Sequence, residues 1–463
     1  MSIAIPQRGG ALRRPALRPA AVLAIGSASS FLVYLDATIV TVAFPDIRAS
    51  FAGTTLSSLS WVLSAYGIFF AALLVPAGRL ADVLGGRRLF LAGLATFTAG
   101  SLLCALAPSV VSLVGARVLQ AGGGALLVPA SQLLVMAAHP AEQRMRVIGV
   151  MAGVAALASA LGPVLGGVAV ELGGWRLAFL INVPIGIAAL ALGGRMPAPR
   201  RPAGVVRPDL ASSALVIGVV GLAALGAVQG PVWGWEDPRV IGAFAAAVAL
   251  VPVLLWRCRR HPAPALALPL FRLRSFSAGN LGALLLGMSF FGLVLSNALY
   301  LTQVWGYSVL TAGLAIAPAP LASAVAAVLA GRFTDRIDPR RFIVPGAVFS
   351  AAAAVWLVAR VGDSPAFLAA WLPGMLLMGA GVGLGFATIV AVCVRDLGPA
   401  ELGIGSGMSA TTRQLGAVFG VAILVAILGP APAPDVYDAG WWAMGGLALA
   451  AVVPVVLIGA PRR

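Results

Sequence analysis

The sequence predicts an all-α polytopic membrane protein with fourteen transmembrane helices, arranged as two six-helix halves with an extra pair between them. Three observations carry this. The 463 residues are 60% hydrophobic and only 10% charged, far from the composition of a soluble globular domain. The apolar residues gather into fourteen runs of roughly 20 residues, the length that crosses a bilayer. The later runs repeat glycines of the earlier ones at a fixed spacing, which marks a duplicated unit.

The runs lie near 21–45, 59–78, 89–107, 110–135, 147–170, 177–194, 210–230, 239–257, 277–303, 311–331, 342–360, 367–393, 403–428 and 441–459. The tail 1–20 carries Arg8, Arg13, Arg14 and Arg18. The apolar run after it is span-length and has no small-residue cleavage site, so it reads as an uncleaved first helix rather than a signal peptide. All 31 basic residues are arginines. With both termini inside, 25 of them fall in inner segments and four in outer loops (Arg48, Arg176, Arg239, Arg360), while Arg117 and Arg413 lie within spans. The positive-inside rule therefore places both termini in the cytoplasm, in a multi-pass protein of the cytoplasmic (inner) membrane. The net charge of +16 becomes an orientation device facing the lipid bilayer rather than a nucleic-acid surface. The lack of lysine excludes a Walker A ATPase and a Schiff-base enzyme. Cys104, Cys258 and Cys393 are far apart in or at the ends of spans, and His139 and His261 stand alone in loops, so no metal site is expected.

Gly149, Gly153, Gly162 and Gly166 recur as Gly403, Gly407, Gly416 and Gly420, each 254 residues later, and Glu142 recurs as Asp396. The first half is then 21–194, and 195–275 holds cytoplasmic linkers with helices 7 and 8. The second half is 276–459, followed by a short cytoplasmic C-terminus, 460–463. Repeated halves around a central site are transporter architecture.

Leu35–Pro45 holds Asp36, the one acidic residue inside an apolar span. A carboxylate at membrane depth is costly and marks a proton or ion site; the alternative is a neutral, hydrogen-bonded Asp that joins two helices. Arg117, in span 4, lies about seven residues or roughly 10 Å from the outer end of its helix, and Asp36 about nine residues or roughly 14 Å from the outer end of its own. The two are expected to meet, unless Arg117 snorkels to the surface. Gly122-Gly123-Gly124 reads as a close helix-packing face rather than a phosphate loop. Gly78–Arg88 reads as a tight cytoplasmic connection, in which Asp82 could face a helix N-terminus. Around Gly162-Pro163 and Gly166-Gly167, span 5 is expected to pack closely and to kink. Polar residues in apolar spans (Tyr66, Gln120, Gln132, Asn297, Gln303 and Arg413) are candidates for a substrate cavity, and each could equally be a helix–helix hydrogen bond.

These residues resemble the major facilitator superfamily, specifically its fourteen-helix drug:proton antiporter branch, over nearly the whole chain. Leu35–Pro45 is similar to the helix-1 motif of that branch, with Thr41 where Asn is usual. Gly78-Arg79-Leu80-Ala81-Asp82-Val83-Leu84-Gly85-Gly86-Arg87-Arg88 resembles the loop 2–3 motif, and Arg117-x-x-Gln120-x-Gly122 the helix-4 motif. Gly162-Pro163-x-x-Gly166-Gly167 resembles the antiporter motif. Trp175–Gly186, Pro269-Leu270-Phe271-Arg272 and Arg413-Gln414-x-Gly416 also fit. The resemblance implies the major facilitator fold and proton-coupled export of hydrophobic small molecules by alternating access. It implies coupling through Asp36 and Arg117, gating through Gly78, Asp82, Gly85, Arg87 and Arg88, and an exporter interface at Gly162, Pro163, Gly166 and Gly167. It implies no cofactor beyond the proton gradient, and a monomer whose partners are protons, the substrate and lipid. A facilitator-type importer would share the topology without needing the Gly-Pro face. A polytopic membrane enzyme would need a catalytic cluster at the interface, which the sequence does not present.

Overall fold

The computed structural model describes residues 17–456 except 52, 55, 198–208, 334–337, 399–400 and 430–432. Most of the linker, the tail 1–16, the segment Thr334–Arg336 and the C-terminus 460–463 thus lie outside the described residues, as do the side chains of Asp82 and Pro163. All regular structure among the described residues is helical. Among the described residues thirteen helices are long and apolar enough to cross a membrane, and a pair bent by 47° between Arg146–Ser159 and Val164–Gly173 makes a fourteenth if it is one span. The protein is a multi-pass membrane protein. The bend falls where Pro163 removes a backbone donor.

The first half comprises α1 (Pro19–Ser50), α2 (Leu56–Leu84), α3 (Gly86–Ala105), α4 (Val110–Ala138), α5 (Arg144–Gly173) and a span broken at Ile181 into α6 (Trp175–Leu180) and α7 (Asn182–Gly193). The extra pair is α8 (Leu210–Trp233) and α9 (Pro238–Arg260). The second half begins with α10 (Arg274–Gln303). It continues through α11 (Val309–Ile316) and α12 (Pro318–Phe333), one span broken at Ala317, and α13 (Arg340–Arg360). A span running through two π-helical turns then holds α14 (Leu372–Gly381) and α15 (Ala387–Arg395), and α16 (Leu402–Leu428), α17 (Val436–Ala450) and α18 (Val452–Val456) complete the half. The duplication holds at the level of elements. Adding 254 to the bounds of α1 (19–50) gives 273–304, against Arg274–Gln303 for α10; adding it to those of α3 gives 340–359, against Arg340–Arg360 for α13.

Glycines fix the approach of helices within each half. A methyl group at Gly123 would strike the Phe97 backbone, and one at Gly93 would stand 2.9 Å from the Gly123 carbonyl, so Gly123 belongs to the α3–α4 packing face, whereas Gly124 is turned to Val33 of α1 and to Phe70 and Tyr66 of α2. In α5, Gly162 lies against Thr38 and Gly166 against Ile39 of α1; in α16, Gly416 lies against the Leu284 carbonyl and Gly420 against Met288 of α10. The same close packing therefore recurs at repeat-related positions. Such seams suit a membrane, where apolar side chains gain little by leaving lipid and close backbone approach supplies the attraction.

The halves meet along two seams. One joins α2 to α16, where a Cβ on Gly407 would lie 2.8 Å from the Leu74 carbonyl and 3.0 Å from the Gly78 Cα. The other joins α5 to α11, α12 and α15, with Gly153 facing Ala327 and Gly313 facing Val164. The pair α8–α9 stands outside this body, α8 against α2 and α16 and α9 with only 22% of its apolar window covered. Its Arg-rich end is held by Asp209, which caps α8 at the Ala211 N–H and receives Arg257 Nε at 2.8 Å and Nη2 at 3.0 Å. That guanidinium holds the Asp209 carboxyl down at about 2.

Two local expectations are corrected. The first helix does not end at Pro45 but runs through it to Ser50, so Asp46 is helical, and its carboxylate accepts the Trp175 N–H at the start of α6 (2.8 Å). The connection expected between the runs 59–78 and 89–107 is far shorter than those bounds give: α2 continues to Leu84, and Gly85, at φ 89°, is the sole residue before α3. A positive φ is what glycine permits there.

Candidate functional site

Asp36 sits in the middle of α1, fully buried, and three side chains donate to its carboxylate. Arg117 Nη1 lies 2.5 Å from Oδ2, Gln120 Nε2 2.8 Å from Oδ1 and Asn182 Nδ2 2.9 Å from Oδ1. Arg117 does not reach the surface; it is 1% exposed. Its Nε donates to the Val62 carbonyl at 3.1 Å, its Nη1 also donates to Gln120 Oε1 at 2.7 Å, and its guanidinium stacks 4.1 Å from the Tyr66 ring. Gln120 Nε2 donates onward to Ser101 Oγ at 2.7 Å, and the Tyr66 hydroxyl to the Val33 carbonyl at 3.1 Å. A lone buried carboxylate or guanidinium would be prohibitively costly; together, with both carboxylate oxygens and the guanidinium Nε and Nη1 hydrogen-bonded, they can persist at membrane depth.

The network draws on α1, α2, α3, α4 and α7, all in the first half. Residues 254 positions on from its members are apolar or aromatic: Phe290 for Asp36 and Trp371 for Arg117. Trp371 is fully buried in a cluster with Tyr300, Trp305 and Trp441. The ion pair is thus confined to one half, and the counterpart of its arginine is aromatic core.

The contact with the other half is made two residues earlier. At about 100° per residue, Tyr34 and Asp36 point about 160° apart around α1. Asp36 faces into the first half. The Tyr34 hydroxyl instead accepts a hydrogen bond from Arg413 Nη2 of α16, and the guanidinium carbon lies 5.4 Å from its ring centre. Between the halves these two residues line a cavity of about 20 Å³ with Ala155, Ser159, Phe290, Phe291 and Phe386, room for about one water.

The remaining candidates are placed as follows. Tyr66 and Gln120 belong to the Asp36 network rather than to this cavity. Asn297 is buried in the outer cluster of the second half, accepting from Trp441 Nε1 at 3.1 Å and facing the Met375 and Met378 sulfurs. Gln303 accepts from the Tyr437 hydroxyl at 2.9 Å. Both are helix–helix hydrogen bonds, the alternative their sequence context left open. Gln132 is buried on α4. Of the loop motif, Gly78 lies against Gly407 at the α2–α16 seam, Arg87 donates to the Met196 carbonyl at 3.3 Å, and Arg88 is exposed. Gly167 faces open space.

Sequence reasoning missed Asn182, Ser101 and Tyr34. Asn182 carried a signal: a side-chain amide in an apolar span needs an internal partner. Ser101 gave no such signal, because a serine can bond its own helix backbone, and Tyr34 gave none, because a tyrosine in an apolar span can pack as an aromatic residue.

A two-fold repeated helical body with a buried ion pair in one half and a narrow cavity between halves defines a membrane transporter. The chain belongs to the Major Facilitator Superfamily, whose family model matches residues 26–421 and 279–463. It is 36% identical over 412 residues to the cephamycin export protein CmcT of Amycolatopsis lactamdurans, covering 88% of this chain and 84% of that protein. It is 31% identical over 414 residues to a methylenomycin A resistance protein of Streptomyces coelicolor, covering 89% and 86%. Its fold matches that of the proton:xylose symporter XylE with a TM-score of 0.67 over 96% of each chain, at 14% identity.

Proposed function

We propose that this protein exports hydrophobic drug-like molecules across the cytoplasmic membrane by alternating access, coupled to proton influx. The relatives named for antibiotic export and resistance support the cargo class. The observation that carries the coupling is the buried Asp36–Arg117 pair. Proton binding at Asp36 removes the charge that holds Arg117, Gln120 and Asn182 in place, so the protonated and ionised states favour different packings of α1. Because α1 also carries Tyr34 to the interface, that change reaches the contact between the halves. The cavity there is far smaller than a drug-sized site of roughly 300–1,000 Å³, so the substrate site forms as the halves part.

The asymmetry of 25 inner against four outer arginines supports cytoplasmic termini. In this reading Gly78, Asp82, Gly85, Arg87 and Arg88 hold one gating state, Gly162 and Gly166 keep the α1–α5 seam tight beside the bend at Pro163, and the protein works as a monomer with no cofactor beyond the proton gradient. Each charge moved is worth about 2.3 kcal/mol per 100 mV, so one proton supports a roughly fifty-fold gradient of a neutral drug.

The test is drug-driven proton movement in inside-out vesicles, comparing wild type with Asp36→Asn at matched expression. Substrate addition should dissipate the pH gradient in wild type and not in the variant. Normal exchange in the variant would remove Asp36 from the mechanism, and its absence in wild type across a broad drug panel would favour import.

A further inference from the structure

Arg413 is a second deep cation, and it lacks what Arg117 has. It is 7% exposed in the middle of α16, and none of the ion pairs among the described residues includes it. Its described hydrogen-bond partner is the neutral phenol of Tyr34. A guanidinium stays charged at any physiological pH and presents five donors in a fork that matches a carboxylate. Leaving such a group buried beside a phenol alone is costly unless a negative charge reaches it during the working cycle. Asp36 is committed elsewhere: three donors from its own half hold it, and it points about 160° away from Tyr34 around α1.

The surroundings of Arg413 describe the rest of such a partner. The cavity is also lined by Phe290, Phe291 and Phe386, by Tyr34, whose hydroxyl accepts from the cation, and by Ser159. Phe290 and Phe291 lie edge to face, centroids 5.0 Å apart, and Phe386 is 6.1 Å from Phe290. The lining thus combines a cation and hydroxyl groups with three phenylalanine rings. The cavity also lies between the halves, contacted by α1, α5, α10 and α16, where parting of the halves would enlarge it.

We infer that the substrate is an amphipathic monoanion, a carboxylate or similar acid on an aromatic or polycyclic body, whose charge is bound by Arg413 between the halves. The inference rests on the export reading for the direction of movement but not for binding. It has an energetic consequence: exchanging one incoming proton for one outgoing monoanion moves two elementary charges in the same sense, so transport of the acid responds to membrane potential twice as steeply as transport of an uncharged analogue.

The experiment compares three acids, benzylpenicillin, fusidic acid and 2-naphthoate, with their methyl esters, which keep the body and remove the charge. Ethidium serves as a cationic control. Binding is read as thermal stabilisation of the purified full-length protein, and transport as proton-gradient-driven exchange in proteoliposomes. At least one acid should bind wild type about ten- to a hundredfold more tightly than its ester, the range expected for hydrogen bonds to a charged group. That preference should collapse in Arg413→Gln and return in part in Arg413→Lys. The wild-type comparison of acid with ester needs no variant and so survives any folding defect. If no acid is preferred over its ester, or if Arg413→Gln keeps the preference, the inference is wrong. Proton-driven movement of esters or ethidium without acid preference would leave the export reading intact and sink this one. Arg413-dependent acid binding with no proton exchange for any probe would do the reverse.

Discussion

Trp371 stands 254 residues after Arg117, at the repeat-related position of the second half. Both side chains are almost wholly buried, at 0% and 1% exposure. Arg117 anchors a charge network, whereas Trp371 anchors an aromatic cluster, stacked 6.2 Å from Tyr300 and tilted against Trp305 at 5.2 Å, with its Nε1 donating to the Ala315 carbonyl at 3.2 Å. One duplicated scaffold thus carries chemistry on one side and packing on the other.

Substitutions at the two positions should therefore fail differently. Trp371→Phe keeps an aromatic ring and loses one hydrogen bond, with a cost of about 1 kcal/mol plus the volume lost. It should lower thermal stability in detergent while leaving the protons moved per drug unchanged. A changed proton:drug ratio in Trp371→Phe would show that coupling extends into the second half.

Removing Arg117 alone should be worse than removing both members of its pair. Arg117→Ala strands the Asp36 carboxylate in a dry interior with Gln120 and Asn182 as its only described donors, and breaking a buried pair in this way costs about 3–5 kcal/mol. Arg117→Gln combined with Asp36→Asn leaves a neutral, still hydrogen-bonding set and should recover much of that. A double-mutant cycle read by denaturation midpoint checks this. Additive losses would mean the two residues do not interact energetically despite their 2.5 Å contact.

The ion pair of the first half was legible in the sequence, whereas in the second half only Arg413 stood out and its partner did not, for a physical reason. Asp36 and Arg117 are expensive at membrane depth, so their presence in apolar runs announces a partner, and helix rise sets them at similar depth. Span number was legible because a lipid-facing helix must be apolar along its length. Asn297 and Gln303, in contrast, are amides that one tryptophan indole or one tyrosine hydroxyl can satisfy within a helix bundle, and polarity alone does not say whether such a group faces a cavity. The bond between Tyr34 and Arg413 spans 379 positions, and no periodicity reports it. The break at Ile181, which sets Asn182 at the head of α7, lies in a stretch with no proline before Pro184.

The α1–α5 seam gives a prediction with an internal control. A methyl group on Gly162 would collide with the side chain of Thr38, two residues after Asp36, while one on Gly167 meets nothing within 4 Å. Gly162→Ala should cost about 1–3 kcal/mol by overpacking and reduce drug export. Gly167→Ala should fall within about 0.5 kcal/mol of wild type, as substitutions at open positions do. Equal effects of the two on melting temperature would mean that α5 is not pressed against α1 at Thr38.

The extra pair offers a pH-dependent test outside the membrane core. Asp209 caps α8 and pairs with Arg257 of α9, which holds its carboxyl at about 2, below the ordinary 3.8. A carboxyl depressed in the folded state contributes stability that is fully present above its unfolded value, near 3.8, and is lost as pH falls through about 2. Asp209→Asn keeps a good N-cap and removes only the charge pair. The variant should therefore melt below wild type at pH 7, by an amount that stays constant down to about pH 5 and shrinks as the pH approaches 2. Arg257→Gln should show the same profile, since it removes the other half of the pair. A wild-type advantage that persists undiminished near pH 2 would mean that Asp209 acts through its cap alone, and that α8 and α9 are held by packing contacts such as Gly226 against Phe244 rather than by charge.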